Sequence, residues 1–188
     1  MGVDVGLKVP AVAVIDDKKV RFFGNGRKNK FKKRTFRSKR QSLGEKKKLN
    51  AIRRLDDKEQ RYMKAQDHKV SRSIIDLAKE NNISVIRLGK LANIRQTTRT
   101  SRKNEKNLHT WSFFRLSQFI EYKVNFECIQ VEYVNPAYTS QTCPMCSAKN
   151  KAQDRTYKCA CAFEKHRDII GAMNIGYAPV IDGHSQSA

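Results

Sequence analysis

Four cysteines lie in two close pairs, Cys143-Pro-Met-Cys146 and Cys159-Ala-Cys161, with twelve residues between the pairs. Each pair reads as a turn, and together they offer four thiolates, the donor set of a tetrahedral zinc ion with Zn–S bonds of about 2.3 Å. Four protein ligands close the coordination sphere, so the expected Zn²⁺ is structural, and its binding energy would fold the small segment around it. The second pair is Cys-x-Cys rather than the usual Cys-x-x-Cys. Redox chemistry at Cys143 and Cys146 fits less well, because a second pair follows at once and no thioredoxin-like pattern surrounds them. The N-terminus has no basic stretch followed by a long apolar one, so no secretory signal is expected. In a reducing compartment, clustered cysteines read as a metal site rather than as a disulfide framework. The fifth, Cys128, is expected as a small buried hydrophobe on a strand.

Two acids suggest a second chemistry. Asp4 sits in the strand-like Val3-Asp4-Val5-Gly6, and Asp168 just precedes the last helical segment. Carboxylates that converge from separate elements hold the paired cations, about 3.5–4 Å apart, of metal-dependent nucleases. Taken singly, either acid is an ordinary strand or cap residue.

Charge points to the substrate. Thirty-nine Lys and Arg against 18 Asp and Glu give a formal net charge of +21. From Lys18 to Lys64 there are 20 basic and 4 acidic residues. A concentrated basic stretch marks a polyanion-binding surface whose affinity falls steeply with salt. The candidates within it are Lys28, Lys30, Lys32, Lys33, Arg34, Arg37 and Arg40. Arg95, Arg99, Arg102 and Lys103 form a second group, rich in the guanidinium that suits phosphate. The basic stretch lacks the broad apolar face of a membrane-surface helix, and no apolar run reaches the length of about 18 residues that a bilayer needs. Tyr138, Trp111 and Phe113 are candidates for stacking on bases, with a core role the stronger reading for Trp111.

The elements that must position these groups follow from the apolar pattern. Gly2 to Ile15 reads as a strand, with Gly6 allowing close backbone approach, and Val20 to Phe23 as a second that completes a hairpin. Arg27 to Lys64 reads as one or two helices, with Leu43, Leu49, Ile52, Leu55, Tyr62 and Met63 as a narrow apolar stripe. Val70 to Lys79 continues as a helix, and Ile83 to Leu88 is a buried-type strand reached by a parallel crossover. A polar segment from Arg95 to Asn107, a helix from Trp111 to Tyr122, a strand from Phe126 to Val134 and a helix from Gly171 to Tyr177 follow. The order predicts an α/β fold, a mixed sheet with flanking helices.

Four segments, in order, resemble the C-terminal half of the TnpB family of transposon-encoded RNA-guided DNA endonucleases, relatives of type V CRISPR effectors. Gly2-Val3-Asp4-Val5-Gly6-Leu7-Lys8 resembles the first RuvC motif. Thr139 to Cys146 and Tyr157 to Phe163 resemble the entry and exit of the family's zinc ribbon, and His166 to Ile175 resembles the third RuvC motif. The resemblance implies an RNase H-like (RuvC) fold over residues 1–135, with the basic helical segment at 27–64. It implies a zinc ribbon insert at 136–164, a closing motif and helix at 165–180, and a disordered tail at 181–188. It implies Asp4 and Asp168 as catalytic acids holding Mg²⁺ or Mn²⁺, and it places the second group of basic residues in a loop near that site. The second RuvC motif departs from the family. Aligned on Leu91-Ala92-Asn93-Ile94-Arg95, the position of the family's glutamate is Gly89, flanked by Arg87 and Lys90. The sequence therefore predicts weak or absent cleavage, with Glu80 and Glu132 as substitute acids to test. The expected partners are DNA, RNA or an RNA–DNA hybrid, and a separate chain supplying the family's N-terminal half. The expected location is the cytoplasm, at the nucleoid of a prokaryote. Three functions compete: a nuclease-dead RNA-guided binder that represses by occupancy, an active nuclease or subunit of one, and a decayed transposon fragment held to nucleic acid by charge.

Overall fold

The computed structural model describes residues 1–90 and 113–183. Its centre is a six-stranded mixed sheet. The strands β1 (Gly2–Val5), β4 (Val85–Gly89) and β5 (Gln130–Val134) run parallel. Around them, β2 (Ala11–Ile15) pairs antiparallel with β1, β3 (Lys19–Phe23) with β2, and β8 (Val180–Gly183) with β5. The helices α1 (Gly26–Glu45) and α2 (Leu49–Glu80) carry the chain from β3 to β4, and α3 (Phe113–Val124) precedes β5. A separate two-stranded sheet, β6 (Thr156–Lys158) and β7 (Glu164–His166), lies between β5 and α4 (Arg167–Tyr177).

Strand alternation divides the sheet into two faces. Val3, Val5, Ile86 and Leu88 point into the main core, where they meet Ile74, Ile75 and Ala78 of α2 and Leu116, Ile120 and Val124 of α3. The other face belongs to α4, whose Ala172 and Met173 pack on Val12 and Val14. The mixed α/β sheet and its parallel crossover are as the sequence predicts. Several details differ. Gly2 to Ile15 is two strands, because the chain reverses at residues 6–10, where the Gly6 N–H donates to the Pro10 carbonyl. The strand expected from Phe126 begins only at Gln130, because α3 runs on to Val124 and the chain turns through Cys128 at φ 53°. Cys128 is consequently exposed rather than buried. Of the tail expected to be disordered, residues 181–183 belong to the strand paired with β5, and 184–188 lie outside the described residues.

The basic segment folds as a helical arm. Buried residues of α2 begin only at Met63, and α1 buries only Gly26. Arg40 fastens the two helices together, donating to Asp56 at 2.7 Å and to Glu59. Where α2 reaches the core it is tied to α3 by Arg115, which donates to the buried Asp67. Among the described residues no helix is long and apolar enough to cross a membrane.

The approach of α4 to β1 is set by glycine. A Cβ on Gly2 would lie 2.1 Å from the Ala172 carbonyl oxygen and 2.6 Å from the Gly176 nitrogen. These are backbone atoms, so the helix itself would have to lift. Gly2→Ala is expected to cost about 3 kcal/mol or more, read as a lower urea midpoint. An unchanged midpoint would mean that the contact is looser than described.

Candidate metal centre and acidic site

The four cysteine sulfurs converge, with all the ligand atoms within 4.8 Å of one another. Cys143 Sγ lies 3.6 Å from Cys161 Sγ, and Cys146 Sγ 3.4 Å from Cys159 Sγ. A tetrahedron built on bonds of about 2.3 Å has edges of roughly 3.8 Å, so the cluster fits a single zinc ion closely. Both turns are built the same way. In the first, the Ser147 N–H donates to the Cys143 carbonyl and the Cys143 N–H to Ala148, each at 2.9 Å. In the second, the Ala162 N–H donates to the Cys159 carbonyl at 3.1 Å and the Cys159 N–H to Phe163 at 2.9 Å. The residue after each pair is left-handed, Ser147 at φ 59° and Ala162 at φ 64°. The shorter Cys-x-Cys turn thus reproduces the backbone reversal of the longer one. A hydrogen bond from the Cys161 N–H pulls the Cys159 thiol down to about 6, so this ligand ionises near neutral pH.

The cysteine turns are fastened to α4. Tyr157 is fully buried, shares a core with Cys143 and Ile170, and donates its hydroxyl to the Ala148 carbonyl at 3.2 Å. Asn174 of α4 donates through Nδ2 to the carbonyls of Thr139 at 2.7 Å and Thr142 at 2.8 Å. The Arg167 N–H donates to the Arg155 carbonyl at 2.8 Å.

The same helix brings the two acids together. Asp168 lies in the first turn of α4 rather than ahead of it, because the helix starts at Arg167, about one turn earlier than the Gly171 start read from the sequence, and His166 caps that turn by accepting from the Asp168 N–H. This cap gives His166 a structural role. Asp4 reaches up from β1 against Gly171, where a Cβ would stand 2.8 Å from Asp4 Oδ2. Asp4 keeps some surface as a residue, but its carboxyl is turned inward against the helix. Burial there, and next the neighbouring Asp168 carboxylate, raise the Asp4 pKa to about 7, while Arg167 and Arg155 oppose the rise. Asp168 is itself engaged, since its Oδ2 accepts from Arg155 Nη1 at 2.5 Å. Neither Arg155 nor Arg167 stood out in the sequence. Arg155 lies thirteen residues before its partner, and no local motif announces such a pairing.

Gly89 sits at the end of β4, the parallel neighbour of β1. The register pairs Gly2 with Arg87 and Val3 with Leu88, and one further step sets Asp4 beside Gly89. A Cβ at residue 89 would point to Pro136, 3.0 Å away, and to Ile175 of α4, 3.7 Å away. This is the face that Asp4 occupies. The substitute acids are committed elsewhere. Glu132 accepts from Arg87 Nε at 2.7 Å, one rung below, where Arg87 also donates to the Gly176 carbonyl. Glu80 is exposed at the end of α2 and pairs with Arg21.

The basic candidates divide. Lys28, Lys30, Arg34 and Arg37 are exposed on α1, and Lys32 is half-buried. Lys33 faces Glu59 and Asp67, and its pKa is lowered by burial. Arg40 is the clasp between α1 and α2, so its charge is spent within the protein. Arg95, Arg99, Arg102, Lys103 and Trp111 lie outside the described residues. Phe113 is buried in the core and offers no stacking face, whereas Tyr138 is 57% exposed.

Two outcomes follow from this geometry. In metal-free buffer the folded chain keeps a proton on Asp4 that the unfolded chain releases near pH 4. Stability therefore falls as pH rises from about 4 to about 7, by on the order of 3–4 kcal/mol, and stays low above that. Asp4→Asn removes this slope, and parallel unfolding curves for both proteins across the interval would refute the assignment. At the cysteine turns, Ala162→Gly relieves a left-handed alanine worth roughly 1–2 kcal/mol. It is expected to tighten zinc in a chelator competition by up to about tenfold, and weaker binding would show that the turn is not strained.

Residues 113–175 match the family model described as Cas12f1-like, TNB domain. A TnpB-like protein of Methanocaldococcus jannaschii is 35% identical over 63% of this chain and 43% of its own length. The CRISPR-associated endodeoxyribonuclease Cas12f1 of Sulfoacidibacillus thermotolerans is 28% identical over 97% of this chain and 46% of its own. The chain thus spans less than half the length of these relatives. Among solved structures, the cryo-EM structure of a Cas12f1–sgRNA–target DNA complex matches with a TM-score of 0.76 at 24% identity, over 93% of this chain and 48% of that one. That likeness establishes the RNase H-like (RuvC) fold. With the mixed sheet and the cysteine cluster between β5 and α4, the chain is similar to TnpB-like and Cas12f1 proteins over the part of their length that it spans.

Proposed function

We propose that this chain is a zinc-ribbon and RuvC-fold module that binds DNA, and RNA or an RNA–DNA hybrid, within an RNA-guided system, and that its own strand cleavage is weak or absent. The observation that carries this reading is Gly89. It stands beside Asp4 on the neighbouring parallel strand, facing α4, at the position where the family resemblance calls for a glutamate. Two cations about 4 Å apart need several carboxylate oxygens between them. Here two carboxylates remain, one of them held by Arg155, and the third position has no side chain. The donor set does not fit a two-cation centre. The cysteine cluster does fit zinc, which would fix the cysteine turns and, through Asn174 and Tyr157, hold them against α4.

Nucleic-acid binding is supported by the arm, where Lys28, Lys30, Arg34 and Arg37 are exposed. Cationic contacts of this kind give affinity without reading sequence. The relative solved with sgRNA and target DNA makes a guide RNA and its DNA target the first partners to try. A separate chain carrying the remaining half of the relatives' length is the corresponding protein partner. The second reading, an active nuclease or a subunit of one, is favoured by the adjacency of Asp4 and Asp168. A decayed transposon fragment bound by charge alone is the third.

The test sets wild type beside Gly89→Glu and Asp4→Ala on labelled single-stranded and duplex DNA with Mg²⁺ or Mn²⁺. Wild type is expected to bind, with affinity falling steeply between 50 and 200 mM salt, and to leave the DNA intact. Pro136 must yield a few tenths of an ångström for the new side chain. Gly89→Glu is then expected to bind Mn²⁺ at least about tenfold more tightly by calorimetry, as one added carboxylate ligand should allow. Robust metal-dependent cutting by wild type, lost in Asp4→Ala, would overturn the impaired-cleavage reading.

A further inference from the structure

Tyr138 stands apart from the other exposed aromatic side chains. It follows β5, in the segment that leads from Pro136, the residue packed on Gly89, to Cys143. Its backbone is left-handed at φ 62°, a conformation unfavourable for a residue with a bulky side chain. The surroundings fix it there. The Tyr138 carbonyl accepts from the Gln141 N–H at 2.8 Å, the Thr142 N–H at 3.0 Å and Thr142 Oγ1 at 3.1 Å. Thr139 anchors the preceding turn by donating Oγ1 to the Pro136 carbonyl at 2.9 Å. Asn174 then holds the carbonyls of Thr139 and Thr142 from α4, the helix that carries Asp168. A strained backbone clamped this thoroughly, with its ring turned outward, is the signature of a side chain held in place for a purpose beyond packing.

The ring also carries a cation. Lys149 Nζ lies 4.6 Å from the Tyr138 ring centroid, closer than Lys165 to Phe163 at 5.7 Å or Lys123 to Phe119 at 6.0 Å. Lys123 is spent on Ser71 and the His68 carbonyl, whereas Lys149 is exposed and its backbone pairs with Thr142. An outward aromatic ring with an exposed ammonium at its face matches two parts of one nucleotide, the base and the phosphate.

We propose that Tyr138 and Lys149 form a stacking platform for one nucleobase of a single-stranded nucleic acid at the lip of the acidic site. The base stacks on the ring and Lys149 meets the adjacent phosphate. This rests on the nucleic-acid reading above and adds strand type and position to it. A paired base is already stacked within its helix, so the platform selects single strands. Every base has a π-face, so it is tolerant of sequence.

The test uses the full chain with fluorescent dT and U oligomers and a DNA duplex, measured by polarisation, and with 2-aminopurine placed within the single strand. Zinc content and circular dichroism confirm that each variant is folded. Tyr138→Ala is expected to weaken single-strand binding roughly 5- to 150-fold, leave duplex binding within about twofold, and abolish 2-aminopurine quenching. Tyr138→Phe keeps both affinity and quenching, and Lys149→Ala lowers the salt slope by about one. The DNA and RNA arms decide which strand is preferred. Equal loss on single strand and duplex, or no loss in Tyr138→Ala while wild type binds, overturns the platform and leaves the broader reading standing. Failure of wild type to bind any of the three nucleic acids overturns both.

Discussion

The backbones of α4 and β1 come into direct contact, through residues with almost nothing to offer. Gly2 on the strand meets the Ala172 carbonyl and the backbone of Gly176, and Gly171 on the helix meets the Asp4 carboxyl. Helix and strand touch through their backbones because neither has a Cβ in the way. All other features of the acidic face follow from this. Asp4 is pressed into a space with little water, and Asp168 is brought near it, so burial and the neighbouring carboxylate together raise the Asp4 pKa. A larger residue at either glycine would relax the crowding and separate the acids. The raised pKa is therefore a measure of how tightly helix and strand are packed.

That crowding is answered by arginine. Arg155, just ahead of β6, reaches Asp168, and Arg167 adds opposing charge from α4. Each anchor between the cysteine segment and α4 is short: a buried tyrosine, one asparagine bonded twice, and this ion pair. A partly buried guanidinium–carboxylate pair gains little over two well-solvated ions, so its value lies in orientation. It fixes where the segment sits relative to the sheet, and it supplies a positive charge at a place where the protein has only two acids left.

Much of this was legible in the sequence, and the failures have physical causes. The cysteine pairs were readable because metal ligation constrains both residue type and spacing, and all four sulfurs converge as expected. The parallel strand after a long helix was readable because its apolar run and the crossover rule leave few alternatives. The register that sets Gly89 beside Asp4 was not readable. It depends on a pairing between strands more than eighty residues apart, and only the family resemblance pointed to that position. Cys128 was misplaced because a left-handed turn looks, in one dimension, like the start of the strand that follows it. Arg40 reads in the sequence as a surface charge because its partners Asp56 and Glu59 lie in the next helix, beyond the reach of local charge counting. The chosen aromatic set mixed two environments, since Phe113 fills the core while Tyr138 stands in the open.

The arm has a consequence of its own. Between Gly26 and Tyr62 there are 16 basic and 4 acidic residues, and the only fully buried residue of that stretch is Gly26. Such a hairpin repels itself, and two of its four acids, Asp56 and Glu59, are drawn into the clasp at Arg40. Its folded form is thus stabilised by any polyanion that spreads along it, in proportion to how well the anion's charges match the helices' spacing. Under the proposed function, nucleic acid would act on this part of the chain much as zinc would on the cysteine turns: the ligand would complete the structure that binds it.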